Sequence, residues 1–153
     1  MTPLDKGQLT VMRVHAAFAA LLLLAVGAAA ERILHERIGL MFGAILLPLL
    51  PLLLWTALVV PARRFRAWGY RMSVEELHVR RGSWTRTETF VPIDRVEHID
   101  IAQGPLERAC GVSRLIVHTA GTLHSQIVLP GLPRPVAEAM RDEIRARIRR
   151  QGR

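Results

Sequence analysis

The side chains best equipped for chemistry are His78, His98, His118 and His124, the single Cys110, and a set of arginines concentrated in the second half of the chain. A metal site needs three or four donors converging on one point, and i, i+2 or i, i+4 spacing is its usual mark in sequence. These histidines are separated by 20, 20 and 6 residues, with no cysteine pair to assist. They read as surface or partly buried side chains, with no metal. Cys110 has no evident base and orienting group around it, so it reads as a buried thiol rather than a nucleophile. Standing alone, it forms no internal disulfide. No GxSxG, HExxH or phosphate-loop pattern occurs. The expectation is a protein that is no enzyme and carries no cofactor.

The arginines are the stronger signal. The formal net charge is +8, with a net +1 on the first 60 residues and +7 on the remaining 93. Such a balance suits nucleic acid or an anionic membrane surface. The apolar stretches select the membrane, where each juxtamembrane basic residue contributes about 1 kcal/mol, and no nucleic-acid partner is expected. Arg63, Arg64, Arg66 and Arg71 follow a long apolar run, with no acid before Glu75. They are the expected membrane-surface contacts, and they mark the cytoplasmic side because juxtamembrane Lys and Arg resist translocation. A sharper site for a phosphoinositide-type headgroup would use Arg80, Arg81 and Arg86 around Gly82-Ser83. Against it, Glu75, Glu76 and Glu88 lie close by in sequence.

Two apolar segments must position this charge. Ile38–Val60 is 23 residues without a charge; as a helix it spans about 34 Å, enough for a hydrocarbon core of about 30 Å. Val14–Ala30 is 17 residues, interrupted only by His15, and Arg13 or Arg32 would snorkel to complete the crossing. Its flanks also mimic a signal peptide with Ala28–Ala30 as the cleavage site. The apolar run is longer than most such segments, and a second one follows after seven residues. Residues 31–37 read as an external turn, giving a hairpin with both termini cytoplasmic. Gly27 and the alanines after it would then face Gly39 and Gly43, small residues that let helix backbones approach. A homodimer through Gly39 and Gly43 is the rival use. Pro48 and Pro51 fall mid-span and predict a kink. No ionisable Asp, Glu, Lys or Arg interrupts either span, which argues against an ion path.

The rest is read as a polar tail over 1–13, a basic juxtamembrane linker over 61–68 and a cytoplasmic domain over 69–150. Trp68 and Tyr70 suit the headgroup layer. Short alternating runs predict strands at Tyr70–Ser73, Glu76–Arg81, Trp84–Val91, Arg95–Ala102, Arg114–Thr119 and His124–Leu129. One-sided alternation implies antiparallel hairpins around one core. A final helix is led in by Pro135, with Val136, Met140, Ile144 and Ile148 recurring at i+4. The fold class is α+β: a two-helix transmembrane hairpin, then a mainly antiparallel split barrel with a C-terminal capping helix.

These residues carry a resemblance. Tyr70-x-Met-Ser-x-Glu-Glu-Leu-x-Val-x-Arg-Gly82, Val91-Pro-Ile-x-Arg-Val96, Gln103-Gly-Pro-Leu-Glu-Arg108-x-Cys-Gly111, Leu115-x-Val-x-Thr-Ala-Gly121 and Leu129-Pro-Gly-Leu132 resemble the YdbS-like bacterial PH-like membrane proteins. The resemblance implies two transmembrane helices before a PH-like domain at the inner face of a bacterial membrane. It implies no settled activity or ligand. Relatives are often encoded beside a longer protein of the family, which suggests assembly with another membrane protein, or a homo-oligomer, in an envelope-associated complex. An anionic-lipid-binding module at the inner leaflet is the alternative. Within the chain, Gln103, Glu107 and Arg108 would form a partner loop if their stretch were functional. As structure, it is a strand connection with one helical turn, and we favour that reading.

Overall fold

Continuous apolar runs early in the chain form helices and alternating runs later form strands, as the two periodicities require. The computed structural model describes residues 1–120 and 126–151; His124 and Gly121 lie outside the described residues. Two units result: Met12–Arg63, and Met1–Val11 together with Arg64–Arg153.

The first unit is a helical hairpin. Helix α1 is Lys6–Ile38 and α2 is Leu46–Ala67. Both are long and apolar enough to cross a membrane, and only 6% and 11% of their most apolar windows are buried. Such naked apolar surface is not that of core helices in a water-soluble fold. The turn expected at 31–37 is helical, and the chain reverses over 39–45 instead. The reason is Glu31, which is only 4% exposed. Its Oε1 accepts the Gly43 amide at 2.5 Å, and its Oε2 accepts those of Leu46 at 2.9 Å and Ile45 at 3.1 Å. A carboxylate thereby satisfies amides that the first turn of a helix leaves without partners. Beside it, His35 Nδ1 lies 2.7 Å from the Leu40 carbonyl and its ring packs on Phe42.

This reversal corrects the reading of the glycines. Gly39 and Gly43 have φ of +67° and +88° and lie in the turn, not on a helix face. They are there for left-handed backbone that other residues resist. Gly27 does lie on α1, where a Cβ would come 2.7 Å from Leu49 Cδ2 on α2. Pro48 is not mid-helix either. It stands in the first turn of α2, where its missing N–H breaks no intrahelical hydrogen bond, while Pro51 and Pro61 are internal.

The second unit holds two antiparallel three-stranded sheets. Strands β1 (Gly69–Met72), β2 (Glu76–Arg81) and β3 (Thr87–Pro92) pair in that order. Strands β4 (Val96–Ala102), β5 (Val112–Thr119) and β6 (Gln126–Pro133) form the other. A short helix α3 (Pro105–Ala109) joins β4 to β5, and α4 (Arg134–Gln151) closes the chain. The core gathers Leu77, Val79 and Val91 from one sheet, Ile99, Leu115 and Leu129 from the other, and Ala137, Met140 and Ile144 from α4. Val136, expected on that stripe, is exposed, so the apolar face starts at Ala137. Trp84 lies before β3 rather than in it. Strand β6 runs past Leu129 to Pro133, because Gly131 at φ +68° carries the chain through an irregular register.

The polar tail also proves structural. Thr2 exchanges backbone hydrogen bonds with Tyr70 at 2.8 and 3.0 Å, and the Asp5 amide donates to the Gly131 carbonyl at 2.9 Å. Leu4 enters the core at 4% exposure. A Cβ on Gly131 would stand 2.6 Å from the Cβ of Gln8. The first residues are thus built into the domain formed some sixty residues later.

Candidate functional site

Alternation along strands puts cross-strand partners on one face. Leu77 and Val79 of β2 point into the core. The opposite face therefore carries Arg71, His78 and Phe90 in one row, and Arg80 with Glu88 in the next. The His78 ring stacks on Phe90 with centroids 4.1 Å apart and planes 18° from parallel. His78 Nε2 lies 3.3 Å from Glu88 Oε2. Phe90 remains 54% exposed. Strand β3 pairs only with β2 among the described residues, so its outer edge is open beside that ring.

The four arginines expected at the membrane surface are carried by two elements. Arg63, Arg64 and Arg66 lie on the last turns of α2, whereas Arg71 stands on β1 in the row of His78 and Phe90. All four are exposed.

At the far end of this sheet the chain turns between β2 and β3. Gly82 sits at φ +101°, and a Cβ there would fall 1.9 Å from the Thr85 carbonyl oxygen, so only glycine fits the turn. Trp84 at the turn is 91% exposed, more than any other large apolar side chain among the described residues. Arg81 and Arg86 flank it, also exposed. Glu76 pairs with Pro92 at the opposite end of the hairpin, about 17 Å away at the usual rise per residue. The acids that looked close in sequence are therefore remote, except Glu88, which faces His78. Trp68 and Tyr70, the aromatics expected at headgroup level, instead pack against the core. Burial pushes the Tyr70 phenol above its ordinary pKa.

The stretch from Gln103 to Gly111 is held from within. Glu107 is 8% exposed; its Oε2 accepts the Gly104 amide at 2.7 Å and its Oε1 meets Arg114 Nε at 2.9 Å. Gln103 Nε2 donates to the Val112 carbonyl at 2.9 Å. Of the three residues expected on a partner loop, Gln103 and Glu107 are thus engaged within the chain, and Arg108 is exposed. Glu107→Ala removes a helix cap and an ion-pair partner together, with an expected cost of about 1–3 kcal/mol. Thermal unfolding should show it, while Arg108→Ala should shift stability by less than about 0.5 kcal/mol.

Register also assembles what linear spacing separated. His98 and His118 are cross-strand partners, and Asp100 stands between them, 2.7 Å from His98 Nε2 and 3.3 Å from His118 Nε2. The carboxylate is engaged by both rings, and no group among the described residues is arranged to hold a metal ion. Cys110 is half-buried at the end of α3, less enclosed than its sequence context suggested.

Comparison with known proteins fits this architecture. A family model described as bacterial PH domain matches residues 13–148. The UPF0699 transmembrane protein YdbS of Bacillus subtilis (strain 168) is 33% identical over 89 residues, covering 58% of this chain and 54% of that protein. The similarity thus spans about half the length of that curated relative. No solved structure matches the chain. With two apolar helices, two antiparallel sheets and a closing helix, this chain belongs to the bacterial PH domain family and is similar to the transmembrane protein YdbS.

Proposed function

We propose that this chain is a membrane-anchored PH-like interaction module that assembles with another membrane protein, a related PH-like protein being the partner of first choice. It would sit in the cytoplasmic membrane as a two-pass protein with both termini and the domain inside. The topology has a physical support. Met1–Val11 and Arg64–Arg153 belong to one folded unit. Two arms of one fold cannot lie on opposite faces of a bilayer, so the segment between them crosses an even number of times. The basic exit at Arg63, Arg64 and Arg66 favours the cytoplasmic face.

The observation that carries the assembly reading is β3, an edge strand with a half-exposed aromatic. Exposed edges invite pairing, and natural proteins ordinarily cover or charge them. Main-chain bonds along such an edge, with a ring beside it, suit an extended segment of another protein. Full-length protein extracted in mild detergent should carry a stoichiometric partner. Phe90→Lys should release it while lowering the melting temperature by no more than a few degrees, since the half-exposed ring gives up only its stack on His78. A chain that extracts alone, or a partner retained by Phe90→Lys, would defeat the reading.

A further inference from the structure

We propose that the β2–β3 turn is a lipid-headgroup contact: Trp84 seats its indole in the interfacial layer of an anionic bilayer, and Arg80, Arg81 and Arg86 face the lipid phosphates. Three observations converge. First, the most exposed large apolar side chain is on this turn, not on the hairpin that meets the acyl chains. An indole has an apolar ring and a polar N–H, and both are satisfied together at a membrane–water boundary. Second, residues 80–86 carry three arginines and no acid; Glu76 lies at the other end of the hairpin, and Glu88, the cross-strand partner of Arg80, stands 3.3 Å from His78, leaving Arg81 and Arg86 as the exposed charges of the turn. Third, the turn is built rather than slack, since Gly82 closes so tightly on Thr85 that no side chain fits.

The occupant follows from charge and from the chain itself. Phosphates on a basic turn are shared by nucleic acids and lipids, and an exposed indole could also enter an apolar protein pocket. A chain with two helices apolar enough to cross a membrane keeps one surface permanently near, a bilayer, and it is both anionic and apolar at its boundary. The contact uses the turn, not the β3 edge, so it stands independently of assembly.

The test uses full-length protein reconstituted into liposomes of phosphatidylcholine alone or with phosphatidylglycerol added. Subtracting the emission of a Trp84→Phe variant isolates Trp84 from Trp55 and Trp68. With phosphatidylglycerol, Trp84 emission should shift to the blue, and acrylamide quenching should fall several-fold relative to phosphatidylcholine alone. The triple variant Arg80→Gln, Arg81→Gln, Arg86→Gln should restore the phosphatidylcholine value, as should high salt. Trp84 equally open to acrylamide in both lipids, equally shielded in both, or indifferent to the triple variant would overturn the proposal. A free-phosphate or nucleic-acid site would show as protection by added inorganic phosphate or oligonucleotide without liposomes, which would overturn it as well. No partner protein is present, so this outcome and that of Phe90→Lys are read separately.

Discussion

Leu4→Asp is expected to unfold the domain formed by Met1–Val11 and Arg64–Arg153. Leu4 is 4% exposed and belongs to the same cluster as Leu77, Leu115 and Ile144. Truncating a buried leucine to alanine costs about 2–5 kcal/mol, against a total stability on the order of 5–15 kcal/mol. A carboxylate in that position adds the desolvation of a charge with no cation beside it in the core. Leu4→Ala should therefore leave a folded domain that melts roughly 10 °C lower or more, and Leu4→Asp should leave none. Limited proteolysis of detergent-purified protein separates these cases. Pro3→Ala, at an exposed neighbour, should behave as wild type. A Leu4→Asp protein as resistant as wild type would show that the first residues do not belong to the core.

Glu31→Ala should loosen the hairpin where it reverses. The substitution strips acceptors from the amides of Gly43, Ile45 and Leu46 at once. Bonds to a charged partner are among the stronger ones, and each donor left unmade adds its own penalty. Cleavage within residues 39–45 by an added protease should accelerate by on the order of tenfold or more. Glu31→Gln keeps a carbonyl oxygen and should fall between the two. Equal cleavage of wild type and Glu31→Ala would show that the carboxylate is a bystander.

Element types were legible in the sequence because periodicity depends only on neighbours. The run over 76–81 reads correctly to the residue, and the strand connection at Gln103–Gly111 reads as structure with a helical turn. What was illegible depends on residues far apart. Leu4 and Gln8 sit in a polar stretch, and their partner Gly131 lies beyond a hundred residues. The segment at 31–37 is polar enough to be a loop, yet its first residue uses its charge to cap another helix, so it stays helical. Pairing His98 with His118 needs the register of β4 on β5, which no linear spacing encodes. Trp84 looked like a strand residue by type, until the turn geometry of Gly82 placed it outside β3.

With Met1–Val11 built in, the PH-like domain is a discontinuous one, and the apolar helical hairpin is its insert. A ribosome delivers Leu4 first, then both apolar helices, and only afterwards the sheets that Leu4 completes. The domain cannot close before the apolar hairpin has been delivered, so its folding waits on both helices. A recombinant piece beginning at Trp68 would lack the Thr2 bridge to Tyr70 and the Leu4 side chain. It would be a core with a hole, and a water-soluble version needs Met1–Val11 grafted back.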